Sequence, residues 1–288
     1  MRNLSNSSKL GYIAPVVNFL KGNSAYRRSY ISLRGQQIWS SESKPRFSKV
    51  SSVPVLLLHG GMSQSEGFDG RLRPAVSGFH VYSYDRAGHG RSPDQKGSFH
   101  FEFQMREAIS YLEDVVKTPA HLIGTSDGGI IALLVAINRP DLIETITLIG
   151  ANYNSDTGFA APDIWIPTDE ARAKYANFSP DPPHTLDEKI AKMVHIWHTE
   201  PNMTLAELRT ISCPTLVIAA DDDMASIQHT NEIYEAIKNS RLAIIPGSSH
   251  LIDKDQPELL NNVIRNFLLN HQYPATLMPV RRKPHEDL

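Results

Sequence analysis

The amino-acid sequence predicts an α/β fold, with a mostly parallel central sheet of about eight strands, flanking helices and a helical lid inserted after the sixth strand. Three observations predict this class. Short apolar or β-branched runs alternate with segments of helical periodicity. Most of these runs are apolar at consecutive positions, which is typical of parallel strands covered on both faces. One long segment carries helical patterns but no convincing strand.

The first two predicted strands, 30–33 and 37–40, are separated by Arg34 and Gly35 and form a leading hairpin. The other six strands are predicted at 53–58, 80–84, 120–123, 143–149, 215–219 and 242–245. Helices are predicted between or after them, because apolar side chains recur at helical spacing in 103–116, 130–138, 230–238 and 257–269.

The lid prediction concerns residues 152–210, where helical spacing occurs at 169–176, 186–197 and 205–208. An insertion here lies above the carboxyl ends of the strands, where open α/β sheets bind ligands. The alternative is a small packing domain without a role in recognition. The predicted organisation is an N-terminal extension (1–25), a first part of the core (26–151), the lid (152–210), a second part of the core (211–270) and a flexible tail (271–288).

Composition restricts the possible partners. The chain has 288 residues, 41% of them hydrophobic, and a formal net charge of -2 without a long block of one sign. This balance argues against nucleic acid and anionic membrane as partners, and no run of apolar residues is long enough for membrane insertion. We expect a small-molecule substrate and a monomer or homodimer.

Cysteine usage and the amino terminus bear on location. The single cysteine, Cys213, cannot form an internal disulfide, which fits a cytoplasmic protein. A secretion signal is the alternative, because Arg2 and Lys9 precede a moderately apolar stretch at 10–20. Glycine, proline and asparagine interrupt that stretch and make it a poor signal.

A G-x-S-x-G pattern lies between a predicted strand and a predicted helix, at Gly124-Thr125-Ser126-Asp127-Gly128. A serine in a tight strand-to-helix turn directs its hydroxyl away from the sheet, and the turn leaves no room for side chains at the flanking positions. The pattern alone is weak evidence, since it arises by chance in chains of this length. Its context makes Ser126 a candidate nucleophile, with a helix N-cap as the alternative.

Five separated motifs resemble the α/β-hydrolase superfamily, in that family's order, over about residues 30–269. They are Leu57-Leu58-His59-Gly60-Gly61, the segment Asp85-Arg86-Ala87-Gly88-His89-Gly90-Arg91-Ser92, the serine turn, Ala219-Ala220-Asp221-Asp222-Asp223 and Pro246-Gly247-Ser248-Ser249-His250. By this resemblance, the backbone amides of Gly61 and Asp127 are assigned to an oxyanion hole.

The chemistry of a serine nucleophile requires two further groups. A base must take the serine proton, and a histidine is suited to this near neutral pH, so His250 is assigned as the base. A buried carboxylate must orient the imidazole, and we assign Asp223. The family usually shows Gly-x-x-Asp here, but Ala220 replaces the glycine. Asp222 therefore remains an alternative acid, and Asp221 is expected to be a turn residue.

Asp127 is also a candidate for substrate binding. Ser-Asp-Gly-Gly at this place resembles the valacyclovir hydrolase or biphenyl-hydrolase-like branch, in which the aspartate recognises the α-amino group of amino acid esters. Many bacterial hydrolases share these four residues, and an acid in a first helical turn also interacts favourably with the helix dipole.

An apolar pocket is predicted from side chains in segments expected near the site, although aromatic residues at helical spacing often pack within a lid. These candidates are Met62, Phe68, Tyr153, Trp165 and Trp197. No cofactor or metal is expected. His195 and His198 have metal-like spacing without a visible third ligand, and the glycine patterns lack the residues of a nucleotide loop.

The sequence thus predicts a serine hydrolase that cleaves a small carboxylic ester, lactone or thioester through a covalent acyl-enzyme. Hydrolysis of carbon-carbon bonds and perhydrolase activity use the same residues and remain alternatives. A ligand-sensing protein with slow turnover is a further alternative. Haloalkane dehalogenation is disfavoured, because that chemistry uses an aspartate where this chain has Ser126.

Overall fold

A computed structural model describes residues 17–21, 24–45, 50–156, 158–272 and 276–278. Its centre is a single nine-stranded sheet, which confirms the predicted fold class. The strands are β1 (Val17–Lys21), β2 (Ser24–Leu33), β3 (Gln36–Pro45), β4 (Val55–Leu58), β5 (Val81–Tyr84), β6 (Ala120–Thr125), β7 (Ile143–Ile149), β8 (Thr215–Asp222) and β9 (Ser240–Ser249).

The strands lie in the order β1-β2-β3-β5-β4-β6-β7-β8-β9. Neighbours from β5 to β9 run parallel, whereas β1, β2 and β3 form an antiparallel edge. Strand β1 is the addition to the eight predicted strands, and it lies in the segment predicted as an extension. Strands β2 and β3 are longer than predicted, because polar pairs such as Arg27 and Glu42 continue the ladder beyond its apolar part.

The helices are α1 (Phe101–Tyr111), α2 (Asp127–Asn138), α3 (Asp169–Phe178), α4 (Leu186–Thr199), α5 (Leu205–Leu208), α6 (Ile227–Ala236), α7 (Ile252–Asp255) and α8 (Pro257–Leu269). A π-helical segment, Leu112–Val116, continues α1. All four helices predicted for the core are present within two or three residues of their predicted starts. Among the described residues, no helix is long and apolar enough to cross a membrane.

Two apolar layers cover the sheet, and strand β4 shows why its sequence is apolar throughout. Leu56 and Leu58 belong to the layer that contains Ile131 of α2. Val55 and Leu57 belong to the opposite layer, which contains Phe267 of α8. Because successive side chains of a strand point to opposite faces, a strand covered on both faces is apolar at every position.

The segment between β7 and β8 contains α3, α4 and α5 and, among its described residues, no strand beyond isolated bridges. Lys189 of α4 holds this insertion to the core. Its ammonium group donates to the carbonyl of Gly88 at 3.1 Å and to Asp181 at 2.5 Å. The candidate secretion signal up to residue 16 and most of the predicted tail lie outside the described residues, and residues 17–20 of the candidate signal belong to β1.

Candidate active site

Ser126 occupies a strained backbone position between β6 and α2. Its φ of 52° and ψ of -120° lie in a region that residues with a side chain rarely adopt. The Ser126 amide donates to the carbonyl of Ile149 at 2.7 Å, which ties the turn to β7. Helix α2 begins at the next residue, so the turn presents the hydroxyl at the carboxyl edge of the sheet.

Two glycines beside Ser126 make this turn possible. A Cβ on Gly124 would stand 2.1 Å from the carbonyl oxygen of Gly128. A Cβ on Gly128 would stand 2.0 Å from the carbonyl oxygen of Leu58. Both contacts involve backbone atoms and cannot be relieved by a side-chain rotation. The prediction that the turn excludes side chains at these positions is therefore confirmed.

His250 joins Ser126 to a carboxylate. Its Nε2 atom lies 3.0 Å from Ser126 Oγ, and its Nδ1 atom lies 2.6 Å from Asp223 Oδ1. An ionised carboxylate can only accept, so Nδ1–H donates to Asp223 and Nε2 is left to accept the serine proton. The three predicted residues thus form a continuous hydrogen-bonded row.

The three adjacent aspartates have different surroundings, and only Asp223 contacts His250 in this way. Asp221 accepts the amides of Gly247 at 3.0 Å and Ser248 at 3.1 Å, so it holds the turn that precedes the histidine. Asp222 is exposed at the end of β8. The structure therefore favours Asp223 over Asp222, as the sequence interpretation does.

The environment of Asp223 keeps its carboxylate charged. Burial alone would raise the pKa of Asp223, but the hydrogen bond and charge of His250 and the backbone amides outweigh burial, so the pKa lies below its ordinary value. The two amides belong to Ala220 at 3.0 Å and Met224 at 2.7 Å. An ionised Asp223 can stabilise an imidazolium that forms on His250.

A cavity of about 640 Å³ opens beside Ser126 and His250. The insertion supplies an apolar wall made of Phe159, Pro162, Ile164, Trp165, Ile166 and Trp197. The core supplies a more polar wall that includes Ser63, Gln64 and three charged residues, Arg71, Asp253 and Lys254. Arg71 and Asp253 form an ion pair with an N–O distance of 2.9 Å.

Most of the predicted pocket residues reach this cavity. Gly61, Met62, Phe68, Trp165 and Trp197 line it, and the two tryptophan rings stack with centroids 5.6 Å apart. Tyr153 is not among the lining residues. It is buried, and its hydroxyl donates to Glu232 at 2.7 Å. Tyr153 therefore packs behind the site, which corrects its assignment as a pocket residue.

The Asp127 side chain is enclosed behind the cavity. Its carboxylate is 2% exposed, accepts the indole N–H of Trp197 at 3.0 Å and lies 3.8 Å from the guanidinium of Arg86. Burial raises the pKa of Asp127, although Arg86 and Trp197 oppose the shift. The enclosure disfavours the hypothesis that this carboxylate receives a substrate amine.

Arg86 is the functional candidate that the sequence interpretation missed. Its side chain is fully buried and donates to the carbonyls of His59 at 2.5 Å and Gly60 at 3.0 Å. These residues precede Gly61, which was assigned to the oxyanion hole together with the amide of Asp127. The only signal is its place in the Asp85 motif, because an arginine in a loop is normally exposed.

Metal ligands do not cluster in the described part of the chain. No group of three or more His, Cys, Asp or Glu side chains there has a metal-binding arrangement. His198 lies 3.5 Å from Asp163 instead.

The fold, the strained serine and the hydrogen-bonded row define a hydrolase-type α/β protein. The chain belongs to the alpha/beta hydrolase family, whose model matches residues 55–263. This range contains all five motifs, and membership supports hydrolase activity.

Two curated proteins cover most of the chain. "Putative carbamate hydrolase RutD" of Pseudomonas savastanoi pv. phaseolicola (strain 1448A / Race 6) is 27% identical over 248 residues, which span 76% of this chain and 95% of that protein. (E)-2-((N-methylformamido)methylene)succinate hydrolase of Acinetobacter baylyi (strain ATCC 33305 / BD413 / ADP1) is 24% identical over 256 residues, which span 81% of this chain and 96% of that protein.

The fold is also similar to solved structures. The crystal structure of a His-tagged serine hydrolase involved in carbazole degradation, the CarC enzyme, aligns with a TM-score of 0.69 at 18% identity. The alignment covers 85% of this chain and 99% of that chain. At this identity the likeness shows the fold alone.

Proposed function

We propose that this protein is a serine hydrolase that cleaves a small carboxylic ester, lactone or thioester through a covalent acyl-enzyme. The observation that carries the proposal is the row from Asp223 through His250 to Ser126, with distances of 2.6 Å and 3.0 Å, at the wall of a cavity. A serine in this arrangement has a base in reach and a space in which a substrate carbonyl fits.

In the first half of the reaction, Ser126 Oγ attacks the carbonyl carbon while His250 Nε2 accepts the hydroxyl proton. The backbone amides of Gly61 and Asp127 donate to the negative oxygen of the tetrahedral intermediate. His250 then gives its proton to the leaving alcohol or thiol, and the acyl group stays on Ser126. Asp223 remains ionised throughout and balances the charge of the imidazolium.

In the second half, water replaces the leaving group. His250 accepts a proton from the water as the water oxygen attacks the acyl carbon, and a second tetrahedral intermediate forms in the same oxyanion hole. Its collapse returns the proton to Ser126 Oγ and releases a carboxylic acid. The cycle consumes one water and needs no redox partner.

The cavity supports a compact substrate with an apolar acyl group. Its volume of about 640 Å³ falls within the range of roughly 300–1,000 Å³ that is usual for small-molecule sites. Phe68 and Trp197 supply apolar surface beside the serine. We expect acetyl to hexanoyl esters to be better substrates than charged amino acid esters. The Asp127 side chain does not line the cavity, and the Asp253 carboxylate that does is paired with Arg71.

The test combines labelling with turnover. A fluorophosphonate probe, followed by peptide mapping, should modify Ser126, and p-nitrophenyl butyrate should be turned over repeatedly by the native chain but not by Ser126→Ala. Labelling at another residue, or equal turnover by Ser126→Ala, would overturn the proposal. Ligand-induced thermal stabilisation with negligible turnover would instead support the sensor alternative.

A second candidate is hydrolysis of a carbamate or related acyl-nitrogen bond, and it is supported by the names of the two curated relatives. The same serine, base and oxyanion donors would serve, with protonation of a leaving nitrogen by His250. Comparing kcat/KM for p-nitrophenyl butyrate with kcat/KM for p-nitrobutyranilide, which has the same acyl group but a nitrogen leaving group, separates the two. Higher kcat/KM for the anilide would favour this second function.

A further inference from the structure

A buried carboxylate lies directly behind the nucleophile turn, although no step of the proposed reaction uses it. Asp127 Oδ1 accepts the indole N–H of Trp197, which belongs to α4 of the insertion, at 3.0 Å. Asp127 Oδ2 lies 3.8 Å from Arg86 and has no hydrogen-bond partner within the described part of the chain. Burial of a carboxylate with an unsatisfied oxygen costs stability. Its presence beside the nucleophile therefore indicates a role in the site.

The carboxylate and the indole meet at Gly61. A Cβ on Gly61 would stand 2.6 Å from Trp197 Cζ2 and 2.7 Å from Asp127 Oδ2. A side chain at this position would displace the indole ring or the carboxylate, and glycine leaves room for both. Both groups therefore pack against the backbone of Gly61, whose amide is assigned to the oxyanion hole.

Arg86 contacts the same segment through its backbone carbonyls. Its guanidinium donates to the carbonyls of His59 and Gly60, the two residues before Gly61. Its positive charge also offsets the Asp127 carboxylate, which would otherwise oppose a developing oxyanion nearby. The oxyanion segment thus has two supports, a buried arginine that binds the carbonyls of His59 and Gly60 and a contact of Gly61 with Trp197 of the insertion.

The contact extends to the cavity surface. The Trp197 ring stacks on Trp165, at an interplanar angle of 21°, and Trp165 is 41% exposed. Both rings line the cavity. A substrate acyl group that fills the cavity therefore touches the same stack that rests on Gly61.

We propose that Asp127 is a positioning residue for the oxyanion hole. Through its hydrogen bond with the Trp197 N–H, it makes the geometry of the oxyanion hole depend on the position of α4. This inference rests on the proposed serine hydrolase function. When Trp197 is bound to Asp127, Gly61 is held in place and its amide is aimed at the developing oxyanion. When a shift of α4 breaks this hydrogen bond, the oxyanion segment loses one of its two supports. The Gly61 amide is then no longer held in position to donate to the oxyanion.

The decisive variant is Trp197→Phe, which keeps an aromatic ring in the stack but removes the N–H donor. We expect kcat for p-nitrophenyl butyrate to fall about ten- to a hundred-fold, while KM changes less than about threefold. Trp39→Phe is the matched control, because it removes the N–H of a buried indole that lies outside the cavity lining and has no hydrogen-bond partner among the described residues. It should retain kcat within about threefold.

A transition-state readout separates positioning from a general structural role. A trifluoromethyl ketone analogue forms a tetrahedral oxyanion on Ser126, whereas the corresponding amide binds as a ground-state mimic. Trp197→Phe should weaken the ketone by the same factor as kcat and leave the amide unchanged. Asp127→Asn should behave similarly, and the double variant should be no worse than the more impaired single variant.

The outcomes distinguish this inference from the proposed function. If native protein and Ser126→Ala turn over esters equally, the function itself is wrong. If Ser126→Ala is inactive but Trp197→Phe keeps native kcat and native ketone affinity, the coupling is wrong and the function stands. Equal weakening of ketone and amide would also overturn the coupling. If Asp127→Asn does not fold, Trp197→Phe decides the question alone.

Discussion

The carbonyl oxygen of Leu58 lies against the Cα of Gly128, so closely that a Cβ there would stand only 2.0 Å away. Leu58 ends β4, and Gly128 lies in the first turn of α2. This approach lets the nucleophile turn and the oxyanion segment sit side by side. The helix can enter the sheet edge at this depth only if residue 128 has no side chain.

Gly128→Ala should therefore damage the fold as well as the site. The clash is with backbone, so β4 or α2 must move, and we expect a loss of at least about 3 kcal/mol in the free energy of unfolding. Urea unfolding followed by circular dichroism measures this loss. Gly70→Ala is the control, because nothing lies within 4 Å of its added Cβ. A loss below about 1 kcal/mol in Gly128→Ala would contradict the steric argument.

Asp223→Asn should reduce catalysis far more than Asp222→Asn. Removing the negative charge leaves the His250 imidazole in the wrong tautomer, so we expect kcat to fall by a factor of about 10⁴. Asp222 is exposed, and its variant should retain kcat within about threefold. The measurement is initial-rate kinetics on p-nitrophenyl butyrate for both variants. A larger loss in Asp222→Asn would reassign the acid.

The raised pKa of Glu107, a buried residue of α1, should make the free energy of unfolding depend on pH. Burial raises the pKa of Glu107 to about 7, despite the opposing amide of Ala87 and the charge of Arg86. Between its ordinary value and pH 7, the folded chain keeps a proton that the unfolded chain has released. Stability should therefore fall as pH rises through this window and then level off above it.

Glu107→Gln removes this titration while keeping a similar shape. The dependence of unfolding free energy on pH between about 5 and 7 should flatten by about 1 to 3 kcal/mol, and the variant should gain stability at pH 8 relative to the native chain. Chemical unfolding at a series of pH values measures both effects. Glu102→Gln on the same helix, where the side chain is 70% exposed, should change neither. A native pH dependence in Glu107→Gln would sink the prediction.

Lys189→Met should weaken the attachment of the insertion. The Lys189 side chain is 2% exposed, donates to the Gly88 carbonyl of the core and forms an ion pair with Asp181 in the loop before α4. Removing the cation leaves Asp181 without this partner, and we expect a loss of about 2 to 4 kcal/mol. Lys192→Met is the control, since its side chain is 52% exposed and its pair with Asp94 should contribute less than about 1 kcal/mol. Equal losses in the two variants, measured by urea unfolding, would show that burial of Lys189 is irrelevant.

Local patterns predicted most of the fold. Strand β7 has the bounds Ile143–Ile149 that were expected, because it is buried on both faces and its apolar run coincides with its full length. The pattern failed at the antiparallel edge. There β2 and β3 continue through polar residues, and β1 has no long apolar run, since edge strands are stabilised by backbone pairing rather than by complete burial.

For the candidate site too, some residues were identified from local sequence patterns and others only from the structure. The sequence by itself determined the nucleophile turn at Ser126, because two glycines, a preceding strand and a following helix are local features. The sequence also identified His250 as the candidate base, from its place in the turn after the last predicted strand. The sequence assigned Asp223 as the acid and Asp221 as a turn residue but left Asp222 as an alternative acid. The structure decided between Asp223 and Asp222, because adjacent aspartates after a strand differ only in the direction of their side chains.

Tertiary packing also decided the surroundings of the Asp127 side chain. In the sequence, an acid beside the nucleophile is compatible with a substrate contact and with a helix-dipole contact, and nothing indicates that it is buried. Its partners, Arg86 and Trp197, come from the loop after β5 and from α4. Contacts between residues so far apart in the chain arise only when the sheet and insertion close around them, and no periodicity within one segment encodes them.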